Sequence, residues 1–357
     1  MSTANASVIA AANASVIAAA TATAATATAS DEAADALDLT RWIGRSQTLH
    51  DVITAAPVVA LAATLDHPAA PVAIGDALPP LWHWLYFLPV HRQSDIGADG
   101  HAKRGGFMPP VPLPRRMWAG SQFEFHAPVR VGDAVARTST IDNVTTKTGR
   151  SGTLVFVRVR HEVRCNGAAD PALVEFHDIV YRPAQRADDM APAPQRAPAD
   201  ATWQRQVVAD EVLLFRYSAL TFNGHRIHYD RPYVTQVEGY PGLVVQGPLI
   251  ATLLMDLLRR HLPGAQVASF RFKAVRPTID LHPLWVSGGF AGASAGTTAG
   301  DAAPENATMI ATTIATATAT ATANATATAA TTDNKTVRLW AQDHDGWLTM
   351  DATATLR

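Results

Sequence analysis

Phe215–Asp230, with the sequence FRYSALTFNGHRIHYD, places amide, imidazole and guanidinium groups directly after a short apolar run with helical character. Further along the chain, the stretch GLVVQGPLIATLLMDLLRRHL enters a long apolar helical pattern through glycine. Backbone N–H groups at the start of a helix are free to hold negative charge, and the helix dipole favours it. The two segments together indicate chemistry at a carbonyl group.

In this order the two segments resemble the MaoC-like hydratase and dehydratase family. The signature of that family reads approximately S-A-L-T-G-D-x-N-P-x-H and is followed by a V-H-G-rich entry into a long helix. Ser218–Thr221 and the pair Ile227–His228 match this signature. Asn223 stands where the family has aspartate, His225–Arg226 replaces Asn-Pro, and Gln246–Gly247 replaces His-Gly.

With these departures from the signature, the chain resembles one branch of the two-hot-dog enzymes. That branch includes bacterial mesaconyl-C4-CoA (3-methylfumaryl-CoA) hydratases and fungal-type 3-hydroxyacyl-thioester dehydratases. The resemblance covers roughly residues 205–290, and residues 105–125, GGFMPPVPLPRRMWAGSQFEF, resemble the amino-terminal half of the hydratases. It implies an α+β double hot-dog fold, in which two antiparallel sheets each wrap around a long helix. Residue patterns alone indicate only an α+β protein.

Composition divides the chain into segments of different character. We expect low-complexity disorder over 1–36, an N-terminal hot-dog over 37–183, a linker over 184–202, and a C-terminal catalytic hot-dog over 203–357. An Ala- and Thr-rich insertion at about 291–334 lacks the large apolar residues that would offset the cost of chain ordering. Apolar alternation resumes at Lys335, so we expect this insertion to separate two strands of one sheet.

Charge and cysteine content exclude several classes of partner. The formal charge is −2 and long basic runs are absent, which argues against nucleic acid as the main ligand. Cys165 is the only cysteine, so an intramolecular disulfide and a thiolate-rich zinc site are excluded. The chain contains no apolar run of the kind that spans a membrane. Its first residues also lack the basic start that a signal peptide has, so we do not expect a signal peptide. We therefore expect a cytoplasmic protein with a small, buried ligand.

The resemblance implies reversible addition of water to a trans-2-enoyl thioester, which needs a base for water, a proton donor and dipoles for the thioester oxygen. His228 matches the catalytic histidine of the family. Asn223 matches its aspartate, but an amide orients water without acting as a base, so the acid–base burden falls on His228. His225 is a further candidate for the missing role. The Gly247 N–H is the candidate oxyanion donor, framed by Gln246, unless Gly247 serves only helix packing.

Basic residues supply candidates for substrate binding. Arg226 lies beside the catalytic histidine and Arg216 lies earlier on the helical run, so either is a candidate to bind a carboxylate on the acyl group. The alternatives are that Arg216 is solvated and that Arg226 contacts only CoA phosphate or protein. Arg115 and Arg116, after a Pro-rich run, are candidates for CoA phosphates or a substrate carboxylate.

His225 and His228, with Asp230 nearby, also raise the question of a metal site. The segment lacks the His-Glu-x-x-His spacing of a helical metal site and a third ligand in a defined position. We therefore predict no metal, and no organic cofactor, because histidine and backbone dipoles supply the required chemistry.

The leading hypothesis is a hydro-lyase that hydrates mesaconyl-C4-CoA to citramalyl-CoA. One alternative is a 3-hydroxyacyl-thioester dehydratase of fatty-acid metabolism, which would act on a CoA or carrier-protein thioester. An alternative of another class is a thioester-binding protein without turnover, suggested by the absence of aspartate at Asn223. The resemblance also implies a homodimer, although a monomer with two fused hot-dogs already holds one complete site.

Overall fold

The computed structural model of the protein describes residues 38–149, 152–184, 193–291 and 335–357. The described strands are β1 (Ser46–Val52), β2 (Arg115–Phe125), β3 (Ala134–Gly149), β4 (Gly152–Cys165), β5 (Leu173–Arg182), β6 (Trp203–Val207), β7 (Val267–Ala274), β8 (Leu284–Phe290), β9 (Thr336–Gln342) and β10 (Leu348–Leu356). The described α-helices are α1 (Ala55–Thr64), α2 (Glu211–Leu220), α3 (Arg231–Gln236) and α4 (Gly247–His261). The predicted low-complexity segment 1–36, nearly all of the predicted insertion and part of the predicted linker lie outside the described residues.

The strands form one antiparallel sheet in the order β1-β3-β4-β5-β2-β7-β10-β9-β8-β6. From the edge to the centre of the sheet, the N-terminal half runs β1-β3-β4-β5-β2 and the C-terminal half runs β6-β8-β9-β10-β7. The second strand of each half therefore lies at the centre. There β2 pairs with β7, from Gly120 opposite Lys273 to Glu124 opposite Ser269. The α+β double hot-dog prediction is confirmed, with the sheets of the two halves joined edge to edge into one.

Helix α4 fills the C-terminal half. Its ten successive residues from Leu249 to Leu258 are all buried, including the polar Thr252 and Asp256. A helix that is buried on every side must be enclosed by other elements, and α4 packs against β6, β8, β9 and β10. It is the long helix that the sequence predicted.

The N-terminal half holds a shorter helix. Helix α1 is rich in alanine and buries only Val58, Leu61 and Thr64. A Trp-rich 3₁₀ turn, Trp82–Leu85, lies instead against the sheet, where the Trp84 ring meets Trp118 and Phe123 of β2 at centroid distances of 5.2 and 5.7 Å. Large aromatic rings thus supply the volume that the small side chains of α1 cannot.

Strands β8 and β9 are neighbours although the Ala- and Thr-rich residues separate them in sequence. Phe290, at the end of β8, pairs with Val337 near the start of β9. The turn between β9 and β10 contains Gly346 with a positive φ of 79°, which is the left-handed conformation that glycine tolerates best. The same sheet therefore continues on both sides of the predicted insertion.

A buried carboxylate ties the two halves together. Asp256 of α4 accepts hydrogen bonds from Arg205 Nη1 at 3.0 Å, Arg260 Nε at 2.7 Å and His67 Nε2 at 2.6 Å. Arg260 also donates to the carbonyl of Leu65, just beyond α1, at 2.7 Å. Three donors compensate the desolvation of the Asp256 charge and fix α4 against the N-terminal half.

Candidate active site

The segment after α2 turns sharply before it reaches His228. Helix α2 ends at Leu220, and Phe222 then adopts a positive φ of 49°. A 3₁₀ turn over Arg226–His228 follows, and Asp230 accepts from the Tyr233 N–H at 3.0 Å to cap α3. The chain between two helices thereby becomes a rigid, compact connection that carries imidazole and amide groups.

His228 is buried and its tautomer is fixed by the backbone. Its Nδ1 lies 2.6 Å from the carbonyl oxygen of Val244, which can only accept, so Nδ1 donates and Nε2 keeps its lone pair. Burial lowers the pKa of His228 to about 4. At neutral pH the side chain is therefore a neutral imidazole with a basic nitrogen.

Asn223 and His225 belong to the same turn. The Asn223 Oδ1 accepts from the His225 backbone N–H at 3.1 Å, so the amide helps to shape the turn. The His225 ring meets His228 edge to face, with centroids 5.4 Å apart. Burial is the main reason that the pKa of His225 is lowered, and it too is neutral at pH 7.

A turn from the N-terminal half completes this group of side chains. Asp99 Oδ1 accepts from the His101 N–H at 3.0 Å, and Asp99 Oδ2 lies 2.9 Å from His101 Nδ1. The His101 ring stacks on His225 with centroids 3.9 Å apart. Neither Asp99 nor His101 was predicted from the sequence as a site residue. An Asp-Gly-His run in a glycine-rich loop indicates a turn, and only the histidine in it hinted at chemistry.

Backbone contacts hold that turn against the segment that carries His225 and His228. The Arg226 N–H donates to the Asp99 carbonyl at 2.9 Å, and Arg226 Nη1 donates to the Ala98 carbonyl at 2.9 Å. Gly100 has a φ of +89°, and a Cβ there would lie only 1.8 Å from the carbonyl oxygen of Gly224. The two halves thus meet glycine to glycine beside the imidazoles.

The guanidinium of Arg226 is engaged in holding this contact. Its Nε and Nη2 donate to Asp230 Oδ2 at 2.9 and 2.8 Å, and its plane lies over the Tyr233 ring at 4.1 Å. Arg216 is exposed on the outer face of α2 and does not line the pocket beside the imidazoles. The structure therefore gives Arg226 protein partners and leaves Arg216 in solvent.

A pocket lies between the two halves at this point. It is lined by Asp99, His101, Pro114, Arg115, Arg116, Met117, His225, Ile227, Glu238 and Tyr240. Strand β2 brings Arg115 and Arg116 to the pocket from more than a hundred residues upstream of His225. His225 lines the pocket directly, and the His228 ring contacts His225 edge to face.

The two adjacent arginines differ in their partners. Arg115 Nη2 donates to the Glu238 carbonyl at 2.6 Å, its Nε lies 3.6 Å from Glu238 Oε2, and its guanidinium lies over the Tyr240 ring. Arg116 lies near the Tyr181 side chain, and its positive charge helps to offset the rise in the pKa of Tyr181 that burial causes. Within the described ranges, Arg116 forms no ion pair with a carboxylate.

Helix α4 begins beside His228. The Val244 N–H donates to the Ile227 carbonyl at 3.0 Å, and the Val244 carbonyl accepts from His228, so the chain leaves this contact three residues before α4 starts at Gly247. No side chain caps this helix start, and a Cβ at Gly247 would meet no atom within 4 Å. Free N–H groups and open space are what a developing oxyanion requires.

Gln246 fixes the position of this helix start. Its side chain is buried, and its Nε2 donates to the Leu214 carbonyl and to Ser218 Oγ, both at 2.9 Å. Its Oε1 has no hydrogen-bond partner among the described residues. Gln246 therefore links α4 to α2 and presents one unsatisfied acceptor beside the site.

Asp99, His101 and His225 have ligand atoms within 4.8 Å of one another, the spacing of a possible metal site. Two imidazoles on one tetrahedral ion would place their ring centroids about 5 Å apart, whereas His101 and His225 stack at 3.9 Å. Arg116 adds positive charge near both histidines. The geometry favours a hydrogen-bonded group of acid–base residues over a cation site.

A larger groove, with a volume of about 910 Å³, lies elsewhere on the N-terminal half. Residues of β1, the start of β3 and the chain after Trp84 line it, and no candidate site residue does. Its size reflects an open surface beside an edge strand. The candidate site residues His225, Arg115 and Arg116 line the smaller pocket instead.

Comparison with known proteins identifies a family and several relatives of this chain. The family model described as hydroxyacyl-thioester dehydratase type 2 matches residues 81–280. The chain is 48% identical over 252 residues to the mesaconyl-C(4)-CoA hydratase of Chloroflexus aurantiacus, covering 69% of this chain and 87% of that protein. It is 26% identical over 265 residues to the mitochondrial hydroxyacyl-thioester dehydratase type 2 of Schizosaccharomyces pombe, covering 66% and 87%. The solved MaoC-like dehydratase of Phytophthora capsici has a similar fold, with a TM-score of 0.55, 11% identity and coverage of 88% and 96%.

The fold and its relatives define a double hot-dog carbon–oxygen lyase of the hydratase and dehydratase type. More narrowly, the chain belongs to the hydroxyacyl-thioester dehydratase type 2 family. None of the helices that the structure describes is both long and apolar enough to cross a membrane.

Proposed function

We propose that this protein hydrates mesaconyl-C4-CoA to citramalyl-CoA, with CoA as the carrier of the acyl group. The observation that carries the proposal is Arg116, a half-buried guanidinium at the pocket with no ion pair to a carboxylate in the part of the chain that is described. A dicarboxylic acyl group would supply that partner through charge-assisted hydrogen bonds. The 48% identity to a mesaconyl-C(4)-CoA hydratase supports the same substrate.

In this proposal His228 Nε2 takes a proton from water, and the resulting hydroxide attacks the β-carbon of the enoyl thioester. The hydrogen bond from Nδ1 to Val244 keeps the base in the required tautomer. The Gly247 N–H at the start of α4 stabilises the negative charge that develops on the thioester oxygen. Asn223 shapes the turn and orients water, since its amide has no titratable proton.

The remaining candidates receive unequal roles. Arg116 binds the carboxylate of the acyl group, and His225 forms the wall of the pocket against which the acyl chain lies. Arg115, Arg226 and Gln246 hold the pocket together through Glu238, Asp230 and α2. We keep Arg216 only as a candidate for the CoA phosphates, because it is exposed.

Location and assembly complete the proposal. A cytoplasmic site of action fits a chain whose single cysteine cannot form an intramolecular disulfide. The acyl-CoA thioester is the expected partner, without nucleic acid or membrane. A homodimer is consistent with the fold, although each chain already holds one complete pocket between its two halves.

The test compares mesaconyl-C4-CoA with crotonyl-CoA, which lacks the carboxylate, in wild type and Arg116→Gln. A charge-assisted bidentate contact contributes about 1.5–3 kcal/mol, or roughly 10- to 160-fold in kcat/KM. We expect Arg116→Gln to lose that factor with mesaconyl-C4-CoA and to change little with crotonyl-CoA. The control is Arg92→Gln, an exposed arginine away from the pocket. Wild-type preference for crotonyl-CoA would reject the dicarboxylate and favour the fatty-acyl reaction of the relatives.

A further inference from the structure

Asn223 leaves the site without the carboxylate that acid–base chemistry in this turn would use, and the structure supplies one from elsewhere. Asp99, on the turn of the N-terminal half, bonds to His101 through both the backbone N–H and Nδ1. This is the arrangement in which a carboxylate orients an imidazole and stabilises its protonated form, while the opposite nitrogen, Nε2, faces the reaction.

The His225 ring contacts both of the other two histidines. His101 stacks on His225 at 3.9 Å, and His225 meets His228 at 5.4 Å between centroids. His101 also lines the pocket, with its side chain one fifth exposed. The only carboxylate within the described part of the pocket besides Asp99 is Glu238, which Arg115 occupies.

The position of the turn is specified by the other half. Arg226 bonds to the carbonyls of Ala98 and Asp99, and Gly100 lies directly against Gly224. A close contact between two glycines and hydrogen bonds from Arg226 to two carbonyls fix the position of this turn. The turn is built to reach the segment that contains Asn223.

We propose that the Asp99–His101 pair is the second acid–base group of the reaction and takes the place of the aspartate that Asn223 lacks. In hydration, His228 Nε2 removes one proton from water, and the oxygen bonds to the β-carbon. The imidazolium of His101 gives its Nε2 proton to the α-carbon, with Asp99 stabilising the charge until the transfer. The two histidines then return to their starting states by exchanging one proton with solvent. His101 is the catalytic residue, and Asp99 is its positioning residue.

The surroundings of His101 connect this pair to substrate choice. Burial lowers the pKa of His101, Asp99 raises it, and the charges of Arg116 and Arg104 lower it. A substrate carboxylate on Arg116 would neutralise one of those opposing charges and favour the protonated imidazole. A dicarboxylic acyl group would thereby help to protonate its own proton donor, which rests on the proposed function above.

Asp99→Asn is the matched variant. An asparagine keeps the Oδ1 that accepts from the His101 N–H, so the turn is preserved, but the negative charge is lost. The control is Asp95→Asn, an exposed aspartate just before the same turn. Hydration is measured with whichever enoyl-CoA the wild type converts best, together with thermal unfolding.

We expect Asp99→Asn to lower kcat by about 100-fold, the usual scale for one general acid–base group, with KM and Tm close to wild type. The loss of Asp99 lowers the pKa of His101, so the alkaline limb of the kcat profile moves to lower pH. His101→Gln should lose as much as Asp99→Asn, and the double variant should lose no more than either, because the pair acts as one unit. Asp95→Asn should resemble wild type.

The loss expected for a general acid–base group is about 100-fold, so a kcat for Asp99→Asn within about threefold of wild type would overturn the proposal. Losses in the two single variants that multiply in the double variant would also overturn it. A pH profile that stays in place while kcat falls would also overturn it, by assigning Asp99 a structural role only. If wild type hydrates no enoyl thioester while the fold is intact, the proposed function fails and this assignment fails with it. Normal turnover by wild type and Asp99→Asn alike rejects the Asp99 assignment alone.

Discussion

The two halves share one strand order but place their buried charges differently. In the N-terminal half, Glu175 lies fully inside the sheet and accepts from His83, Trp84 and Ser121 at 3.1 to 3.2 Å. In the C-terminal half, His228 lies at the edge of the interior beside the start of α4. Both carboxylate oxygens of Glu175 have protein donors, whereas only Nδ1 of the His228 ring has a hydrogen-bond partner among the described residues. The same architecture thus holds a carboxylate enclosed by donors in one half and, in the other, an imidazole whose second nitrogen is free for the proposed chemistry.

The largest expected effect comes from breaking the polar cluster around Glu175 with Glu175→Ala. Removing one partner of a buried, hydrogen-bonded charge network destabilises by about 3–5 kcal/mol. Asp256→Ala should cost less, because Arg205 and Arg260 are 26% and 32% exposed and can return to water. Urea unfolding of both variants measures the difference. Since Glu175 does not line the pocket, equal damage to kcat at a permissive temperature would contradict the division between the halves.

Acidification should destabilise the polar cluster around Glu175, which also includes His161 and His177. Burial lowers the pKa of His161 to about 3 and that of His177 to about 4. The unfolded chain takes up these protons near pH 6.5, so below that value it binds more protons than the folded protein does, and stability falls as pH falls. Each imidazole contributes about 1.4 kcal/mol per pH unit over this window. The free energy of unfolding measured from pH 7 to pH 5 should therefore decrease, and a constant or rising value would show that these imidazoles are not buried as neutral groups.

Glu175 reinforces this trend at lower pH. Burial opposes its ionisation, but the hydrogen bond from His83 and the neighbouring imidazoles hold the pKa of the carboxyl below its ordinary value. Its contribution to stability is present above the unfolded pKa and is lost as pH falls further.

A smaller effect is expected from Gly100→Ala, which disturbs the contact between the halves. Both Gly100 and Gly105 have positive φ values, of +89° and +95°, but only a Cβ at Gly100 meets the backbone of Gly224. We expect kcat/KM of Gly100→Ala to fall by about tenfold, equivalent to 1.4 kcal/mol, because His101 shifts from His225. Gly105→Ala carries the same backbone strain without the clash and should keep its activity. Equal loss in both variants would mean that strain, and not the inter-half contact, causes the effect.

Much of this architecture was visible in the sequence. The long helix from Gly247 and the strands around it follow from apolar patterning, and the double hot-dog follows from the resemblance carried by Ser218–His228. The aromatic packing of Trp84 in place of a second long helix was not predicted, because periodicity does not reveal which side chains fill a core.

The site was only partly visible. His225, Arg115 and Arg116 were selected from local motifs, and the structure brings them to one pocket. Asp99 and His101 were missed because their role depends on a contact with a segment more than a hundred residues away. A turn signal states where the chain reverses but not what the turn touches.

The most direct test of the account is hydration of mesaconyl-C4-CoA, followed by the loss of enoyl-thioester ultraviolet absorbance, in wild type, His228→Ala and the exposed control His126→Ala. We expect wild type and His126→Ala to hydrate the substrate at similar rates and His228→Ala to be slower by at least about 100-fold, with its fold intact. Rapid hydration by His228→Ala would contradict the claim that the C-terminal imidazole is the base of this reaction.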